Sequence, residues 1–327
     1  MYAGIEKLVW QYASELSKNH QVSVIARSDS VFPSNVEVFG YQPQPDEDTN
    51  IPSELAAYQL YQSKIRQFDV IHDFSHQHLA SRFYANLPSL NIFWHAPALA
   101  QYPKAPYNII ALSQWAAREF KRVYGHPAKF QQSIVIDPAV YILSQRHRND
   151  RFYSLGRMGA EKGNLEAAYL CKKAGVPLDI QGARGLENAP DSPLTDYEKK
   201  VLDFCDGEQI KYLGDLPEEK KIQMMQTNKA LIYATNHPEV TSHKIQECLF
   251  CGMPVIVPNL GAIPEIVTHG INGYLCSTEQ EYSEAIQNVD KLEPMKLHAE
   301  VVRKYSLGNV VNDYIPLYEQ VMKGLRW

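Results

Sequence analysis

The feature that most constrains the fold is an alternation that runs through the chain twice. Short apolar runs alternate with stretches of helical period, and the pattern restarts after a polar segment. Residues 5–17 place Ile5, Leu8, Val9, Tyr12, Ala13 and Leu16 on one helical face. Strands are expected at Val22-Ser-Val-Ile-Ala, Val36-Glu-Val-Phe, Val70-Ile-His, Leu90-Asn-Ile-Phe-Trp, Ile109-Ile-Ala-Leu and Ser133-Ile-Val-Ile. A polar, proline-rich loop at about 41–52 precedes a helix at about 53–66. The mixed polar run Ser144-Gln-Arg-His-Arg-Asn-Asp-Arg reads as a linker. Beyond it, strands are expected at Phe152-Tyr-Ser-Leu, Leu178-Asp-Ile, Ile210-Lys-Tyr-Leu, Ala230-Leu-Ile-Tyr-Ala and Val255-Ile-Val. Helices are expected at about 164–174, 194–206, 217–226 and 243–251. Such alternation predicts parallel sheets covered on both faces, hence an α/β chain of two Rossmann-like, doubly wound domains. Ligands of such sheets sit beyond the carboxyl ends of the strands. Two facing domains would put those ends on either side of a central cleft.

Bulk properties narrow the function. With 327 residues the chain is long enough for two ordinary domains. A net charge of −5 and the lack of a basic tail argue against nucleic acid as a partner. No run of eighteen apolar residues is present, and Met1-Tyr-Ala-Gly-Ile-Glu-Lys lacks the apolar core of a signal peptide. The five cysteines are odd in number and scattered, which fits reduced thiols and a cytoplasmic location. Cys248 and Cys251 form a Cys-x-x-Cys, but no second pair completes a zinc site. They read as small apolar residues on a buried helix.

Two blocks carry chemistry. Gly156-Arg157-Met-Gly-Ala-Glu-Lys162-Gly163 is a glycine-rich turn with two cations after an apolar strand. An arginine fork and a lysine point charge suit a diphosphate. Alone, the pattern is weak, and a solvated turn is its commoner reading. The second block is Glu239-Val-Thr-Ser-His-Lys-Ile-Gln-Glu247-Cys-Leu-Phe-Cys-Gly252-Met-Pro254-Val-Ile-Val, with two carboxylates eight residues apart. Ser242 is placed to cap a helix that runs through Glu247 to Gly252, and a helix N-terminus suits a phosphate. Two lone glutamates would otherwise read as surface charges. Gly261-Ala-Ile-Pro264-Glu265-Ile-Val-x-x-Gly270-x-Asn-Gly273 extends the block to about 35 residues.

The order and spacing of these blocks resemble glycosyltransferase family 4, the retaining nucleotide-sugar transferases of the GT-B fold. The resemblance takes in nearly the whole chain, including Tyr305-Ser306 and Asp313-Tyr-x-x-x-Tyr318-Glu near the C-terminus. It implies a nucleotide-sugar donor, an acceptor hydroxyl on a glycan, lipid or small molecule, no bound cofactor and no metal. Arg157 and Lys162 would neutralise the donor diphosphate, Glu239 would contact the sugar hydroxyls, and Glu247 would accept from the ribose diol. His95, in Phe93-Trp-His-Ala-Pro97, would meet the sugar near the reacting centre; alone it reads as a histidine at a strand end. Gly4, Ser242, His243 and Lys244 join the donor-binding set. Lys244 is either a third cation for the diphosphate or an exposed side chain.

The domains implied are 1–147 on the acceptor side, 148–305 for the nucleotide sugar, and 306–327 as a helix crossing back to the first domain. Two departures stand out. Val240-Thr241-Ser242-His243 replaces the usual Pro-Phe-Gly-Leu, which opens the loop geometry and donor choice to change. The chain also starts inside the glycine loop, at Tyr2-Ala3-Gly4-Ile5-Glu6, so the leading strand is absent. A vacancy or a substitute strand is expected in the first sheet. Both departures keep open an inactive nucleotide-sugar-binding homologue. His72, His76 and His78 cluster without a complete ligand set, and read as residues lining the acceptor side or capping a strand. The helix around Arg118, Lys121 and Arg122 has a modest basic face, which fits a solvated surface better than a membrane-docking one.

Overall fold

The computed structural model describes residues 4–42, 50–84, 86–94, 107–143, 147–184 and 193–327. The chain divides into two compact units: Ile136–Tyr305, and Ala3–Val135 with Ser306–Trp327. The division falls at 135/136, ahead of the linker expected from the polar run. Ile136 and Tyr141 belong to the core of the Ile136–Tyr305 unit, and the Ile136 N–H donates to Tyr305 O at 2.7 Å. Buried apolar side chains, not the polar stretch that follows them, decide where that unit begins.

The Ile136–Tyr305 unit is built on one parallel sheet. Its strands are β7 (Phe152–Leu155), β8 (Leu178–Gln181), β9 (Ile210–Tyr212), β10 (Leu231–Ile232), β11 (Val255–Pro258) and β12 (Gly273–Cys276). They lie in the order β12-β11-β10-β7-β8-β9, which is the doubly wound order 3-2-1-4-5-6. The side chains alternate between two cores. Tyr153, Leu155, Leu231, Val255 and Val257 enter one, while Phe152, Ile232 and Ile256 enter the other. A period of two with both faces buried is what apolar strands give when helices cover both sides. The helices Asn164–Lys173, Asp196–Phe204, Glu218–Thr227 and His243–Phe250 lie close to their expected ranges. β12 and the helix Glu279–Asn288 have no counterpart in the sequence reading. Thr278 and Glu281 form a capping box at the start of that helix.

The other unit holds β1 (Val22–Arg27), β2 (Val36–Tyr41), β3 (Ile71–Asp73), β4 (Ser89–Phe93), β5 (Ile109–Ala111) and β6 (Lys129–Phe130). β1 pairs with β2 in a two-stranded parallel sheet, and β3-β4-β5-β6 form a four-stranded one. Among the described residues no strand joins β1 to β3. The strand expected at Ser133-Ile-Val-Ile does not form; β6 takes the edge of the sheet instead. Ile134, Val135 and Ile136 are buried, but the polar groups around them bond elsewhere. Ser133 O accepts from Tyr12 Oη at 3.0 Å, and Ser133 Oγ pairs with Tyr314 Oη. The C-terminal segment belongs to this unit. Tyr314 packs against Tyr12 and His72 with ring centroids 5.4 and 5.0 Å apart. Trp327 Nε1 donates to Ile109 O at 2.9 Å.

Candidate functional site

The strand order of the six-stranded sheet reverses between β7 and β10, the place where such sheets hold ligands. β7 runs into Gly156, a 3₁₀ turn at Ala160–Lys162 and then Gly163. β10 runs through Tyr233 towards Glu239. The two loops pack hard against each other at Gly163, whose φ is +68° and where a Cβ would lie 2.3 Å from Ala234 O. Only glycine permits that approach. It brings Lys162 Nζ to 2.8 Å from Glu239 Oε1.

Glu239 is held from several sides. Tyr233 Oη donates to the same carboxylate oxygen at 2.7 Å. Glu239 O accepts from the Ala262 N–H at 3.0 Å. Burial pushes the Glu239 carboxyl up, but Lys244, Lys162 and the two hydrogen bonds outweigh it, so the group is held below the usual carboxylate range. Arg157 pairs with Glu161, four residues on in the same turn. This end of the sheet therefore gathers Arg157 and Lys162, each paired with a carboxylate.

The helix His243–Phe250 completes the arrangement. Ser242 stands at its N-cap in an extended conformation, yet its side chain makes no capping bond. His243 is half-buried in the first turn. Lys244 is 5% exposed, which removes the exposed alternative for it. Its ammonium lies over the Tyr233 ring, 3.6 Å from the centroid.

Glu247 is also buried. Lys221 Nζ donates to its two oxygens at 3.1 and 3.3 Å. Tyr141 Oη lies 2.6 Å from Glu247 Oε1 and 2.9 Å from Glu218 Oε1. Lys221, Tyr141 and Tyr233 escape the sequence reading. Lys221 sits in Glu218-Glu-Lys-Lys, which looks like any solvated charge run, and the two tyrosines look like core.

Gly4 lies in the other unit, where it opens the helix Gly4–Leu16. His95 lies outside the described residues. Of the neighbouring histidines, His76 Nδ1 pairs with Glu54 Oε1 at 3.0 Å, while His72 bonds Tyr318 Oη at 2.9 Å and the buried His78 bonds Ile92 O at 3.0 Å. Burial pushes His72 down to about 3 and His78 down to about 4. Cys248 and Cys251 are fully buried free thiols. Burial raises both, Cys251 to about 12, so neither is a poised nucleophile.

Residues 144–306 match the model of a family described as glycosyl transferases group 1. A curated relative is the N-acetyl-alpha-D-glucosaminyl L-malate synthase of Bacillus anthracis, 29% identical over 85 residues. That match covers 24% of this chain and 22% of the relative's own length. Among solved structures, sucrose-phosphate synthase from Thermosynechococcus elongatus superposes with a TM-score of 0.78 at 14% identity, covering 99% of this chain and 94% of that one. Anabaena HepE in complex with UDP and glucose gives 0.73 at 17%, covering 98% and 96%. At these identities the likeness is one of fold, the α/β GT-B class.

Proposed function

Because residues 144–306 match the model of the glycosyl transferases group 1 family, we propose that this chain is a retaining glycosyltransferase. It moves a sugar from a nucleoside-diphosphate sugar to an acceptor hydroxyl, without a metal. The observation that carries the reading is the Lys162–Glu239 pair, fixed at the point where the strand order reverses. Arg157, Lys162 and Lys244 would take the diphosphate, with Gly4, Ser242 and His243 contributing to the donor site. Glu239 and His95 would hold the sugar, and Glu247 the ribose.

In the reaction, the bond from the sugar's anomeric carbon to the phosphoryl oxygen breaks. The acceptor oxygen bonds that carbon on the same face. The leaving phosphoryl oxygen takes the acceptor's proton, so no protein base is required. The chain supplies positioning and a standing positive field where negative charge grows. A relative in complex with UDP and glucose supports a uridine nucleotide as the first donor to try. The acceptor is a glycan, a lipid or a small hydroxylated molecule. The free thiols support a cytoplasmic site of action.

The test is incubation with UDP-, GDP- and ADP-sugars over a panel of acceptors, following release of the nucleoside diphosphate. Release that requires Glu239 supports the enzyme. Binding of a nucleotide sugar with neither transfer nor hydrolysis supports the binding homologue instead. No binding to any of them removes the donor reading.

A further inference from the structure

The Ile136–Tyr305 unit holds a cavity of about 710 Å³ that the donor reading leaves unused. It lies among the helices Asn164–Lys173, Asp196–Phe204 and Glu279–Asn288, and the chain leaving β10 reaches it at Ala234. None of Arg157, Lys162, Glu239, Lys244 and Glu247 lines it. Its volume is in the ordinary range for a small-molecule site. Leu165, Tyr169, Phe204 and Tyr282 give it largely apolar walls. Tyr169 is 48% exposed, a large ring offered to solvent by a helix that buries Ala167, Ala168, Leu170 and Cys171.

The charges around these walls select a ligand. Glu166, Asp203 and Glu279 bring three carboxylates, and Lys200 brings one ammonium. Lys173 pairs with Glu279. Lys172 lies over the Phe204 ring, 4.9 Å from its centroid, but Asp206 balances it at 3.7 Å. With both wall lysines counted, one net negative charge remains beside the apolar surface. That suits a monocation on an apolar body. The body covers the rings, and a carboxylate or the face of Tyr169 takes the cation. An anionic amphiphile of the same shape would meet the excess negative charge.

The cavity shares its floor with the candidate site. Ala234 lines it, and Ala234 O is the atom against which Gly163 packs. Tyr282 lines it too, and Tyr282 Oη donates to Tyr233 O at 2.9 Å. The Tyr233 hydroxyl in turn holds Glu239. A ligand resting on Ala234 and Tyr282 therefore steadies, from behind, the backbone that fixes Lys162 and Glu239. Order installed by one ligand does not have to be supplied again by the next, so the two should bind with positive cooperativity.

We propose that this cavity is an effector site for an amphipathic organic monocation, and that filling it tightens the nucleotide site through the Tyr233–Ala234 backbone. The coupling rests on the donor reading above; the occupancy of the cavity does not.

The probes are 4-phenylbutylamine, 4-phenylbutanol and 4-phenylbutanoate, one apolar body in three charge states, titrated against the full chain by ligand-observed NMR. The amine should bind tightest and the carboxylate weakest, with about tenfold between them, as expected of ionic contacts near a surface. Tyr169→Ala should weaken all three by about fivefold, through lost apolar contact. Glu166→Gln combined with Asp203→Asn makes the net charge of the walls positive and should reverse the order. No saturable binding, equal affinities, or an order that survives both substitutions would overturn the site. Calorimetry with UDP, GDP and ADP, with and without saturating amine, reads the coupling. For whichever base binds, the amine should raise nucleotide affinity by about threefold or more, and the nucleotide should raise amine affinity by the same factor. Tyr282→Phe keeps the ring and loses the bond to Tyr233 O, so it should leave amine binding intact and shrink the coupling. A mutual effect under about twofold, or one undiminished by Tyr282→Phe, would overturn the coupling alone. If wild type binds none of the three nucleotides, the donor reading and the coupling fail together, while the order of the three probes still decides the cavity.

Discussion

Glu247 and Lys221 show how a residue can be tied down before any ligand arrives. Both side chains are 8% exposed and share a short ion pair, with Tyr141 bonded to the same carboxylate. A buried charge that loses its partner is strongly destabilising, by about 3–5 kcal/mol, whereas removing both charges costs far less. Lys221→Met should therefore lower stability by that order, and the double variant with Glu247→Gln should recover most of the loss in urea unfolding. Equal stability of the single and double variants would mean the pair is not coupled. Glu247→Gln alone should also weaken nucleoside diphosphate binding, more for the ribonucleotide than for its 2′-deoxy form, if the carboxylate holds the ribose diol. Arg157 is tied less firmly, half-exposed and paired within its own turn. Arg157→Ala should slow transfer by roughly 10²–10³, the usual cost of losing one group that stabilises developing charge. A change under about fivefold, with unaltered affinity, would remove it from the site.

At the scale of elements, the loops after β7 and β10 are a single built object. Gly163 is the point where they touch, and its left-handed conformation and close approach both exclude a side chain. Gly163→Ala should cost at least about 1–3 kcal/mol, since strain at such a conformation alone reaches that range. It should also depress nucleotide binding, because Lys162 is the preceding residue. Thr195→Ala makes a useful contrast. It removes the capping box at the helix Asp196–Phe204 and should cost about 1 kcal/mol, with no effect on nucleotide affinity. Similar binding losses in both variants would point to general destabilisation. The Cys-x-x-Cys resolves at this scale too. It lies where the helix His243–Phe250 ends and turns its sulfurs into the core, so reduction or oxidation reagents should not alter the native protein's nucleotide affinity.

Across the whole molecule, the two units should respond to pH over different ranges. His72 and His78 are held neutral by burial, at about 3 and about 4 against an ordinary 6.5. The unfolded chain binds their protons first, so their unit loses stability as pH falls from about 6.5 towards 3, by a few kcal/mol in order of magnitude. His72 Nδ1 bonds Tyr318 Oη at 2.9 Å, so that loss should be felt in the C-terminal helix. Replacing His72 with Gln should flatten the acid limb of the unfolding curve. Lys244 acts in the other unit with the same sign over a higher pH range. With a folded value of about 7 against an ordinary 10.5, it lets stability rise as pH increases between those values, because the unfolded chain holds more protons over that range. Lys244→Met should remove that rise. The Ile136–Tyr305 unit is continuous in sequence and has its own sheet and cores. Expressed alone, it should unfold in one cooperative transition; a gradual transition would show that it depends on the rest of the chain.

The sequence by itself determined the α/β class, the double alternation, most helices of the Ile136–Tyr305 unit and the identity of its charged loops. These are local properties. Apolar runs of four residues can be read as buried strands, and Arg157, Lys162 and Glu239 follow such runs directly. Short strands without a strong apolar pattern were less legible: Lys129–Phe130 and Gly273–Cys276 owe their pairing to neighbouring strands, not to their own residues. The apolar run at 133–136 failed as a strand for the converse reason, since burial came from helices and side-chain bonds instead of a ladder. Only the tertiary structure could decide which charges meet. Lys162 and Glu239 are 77 positions apart and Tyr141 and Glu247 are 106, and no periodicity links residues across such distances. Chain crossing at a glycine, and the strand order that puts β7 beside β10, bring Lys162 and Glu239 together. The same packing buried Lys244, whose sequence context allowed a cation in water or a cation in a site.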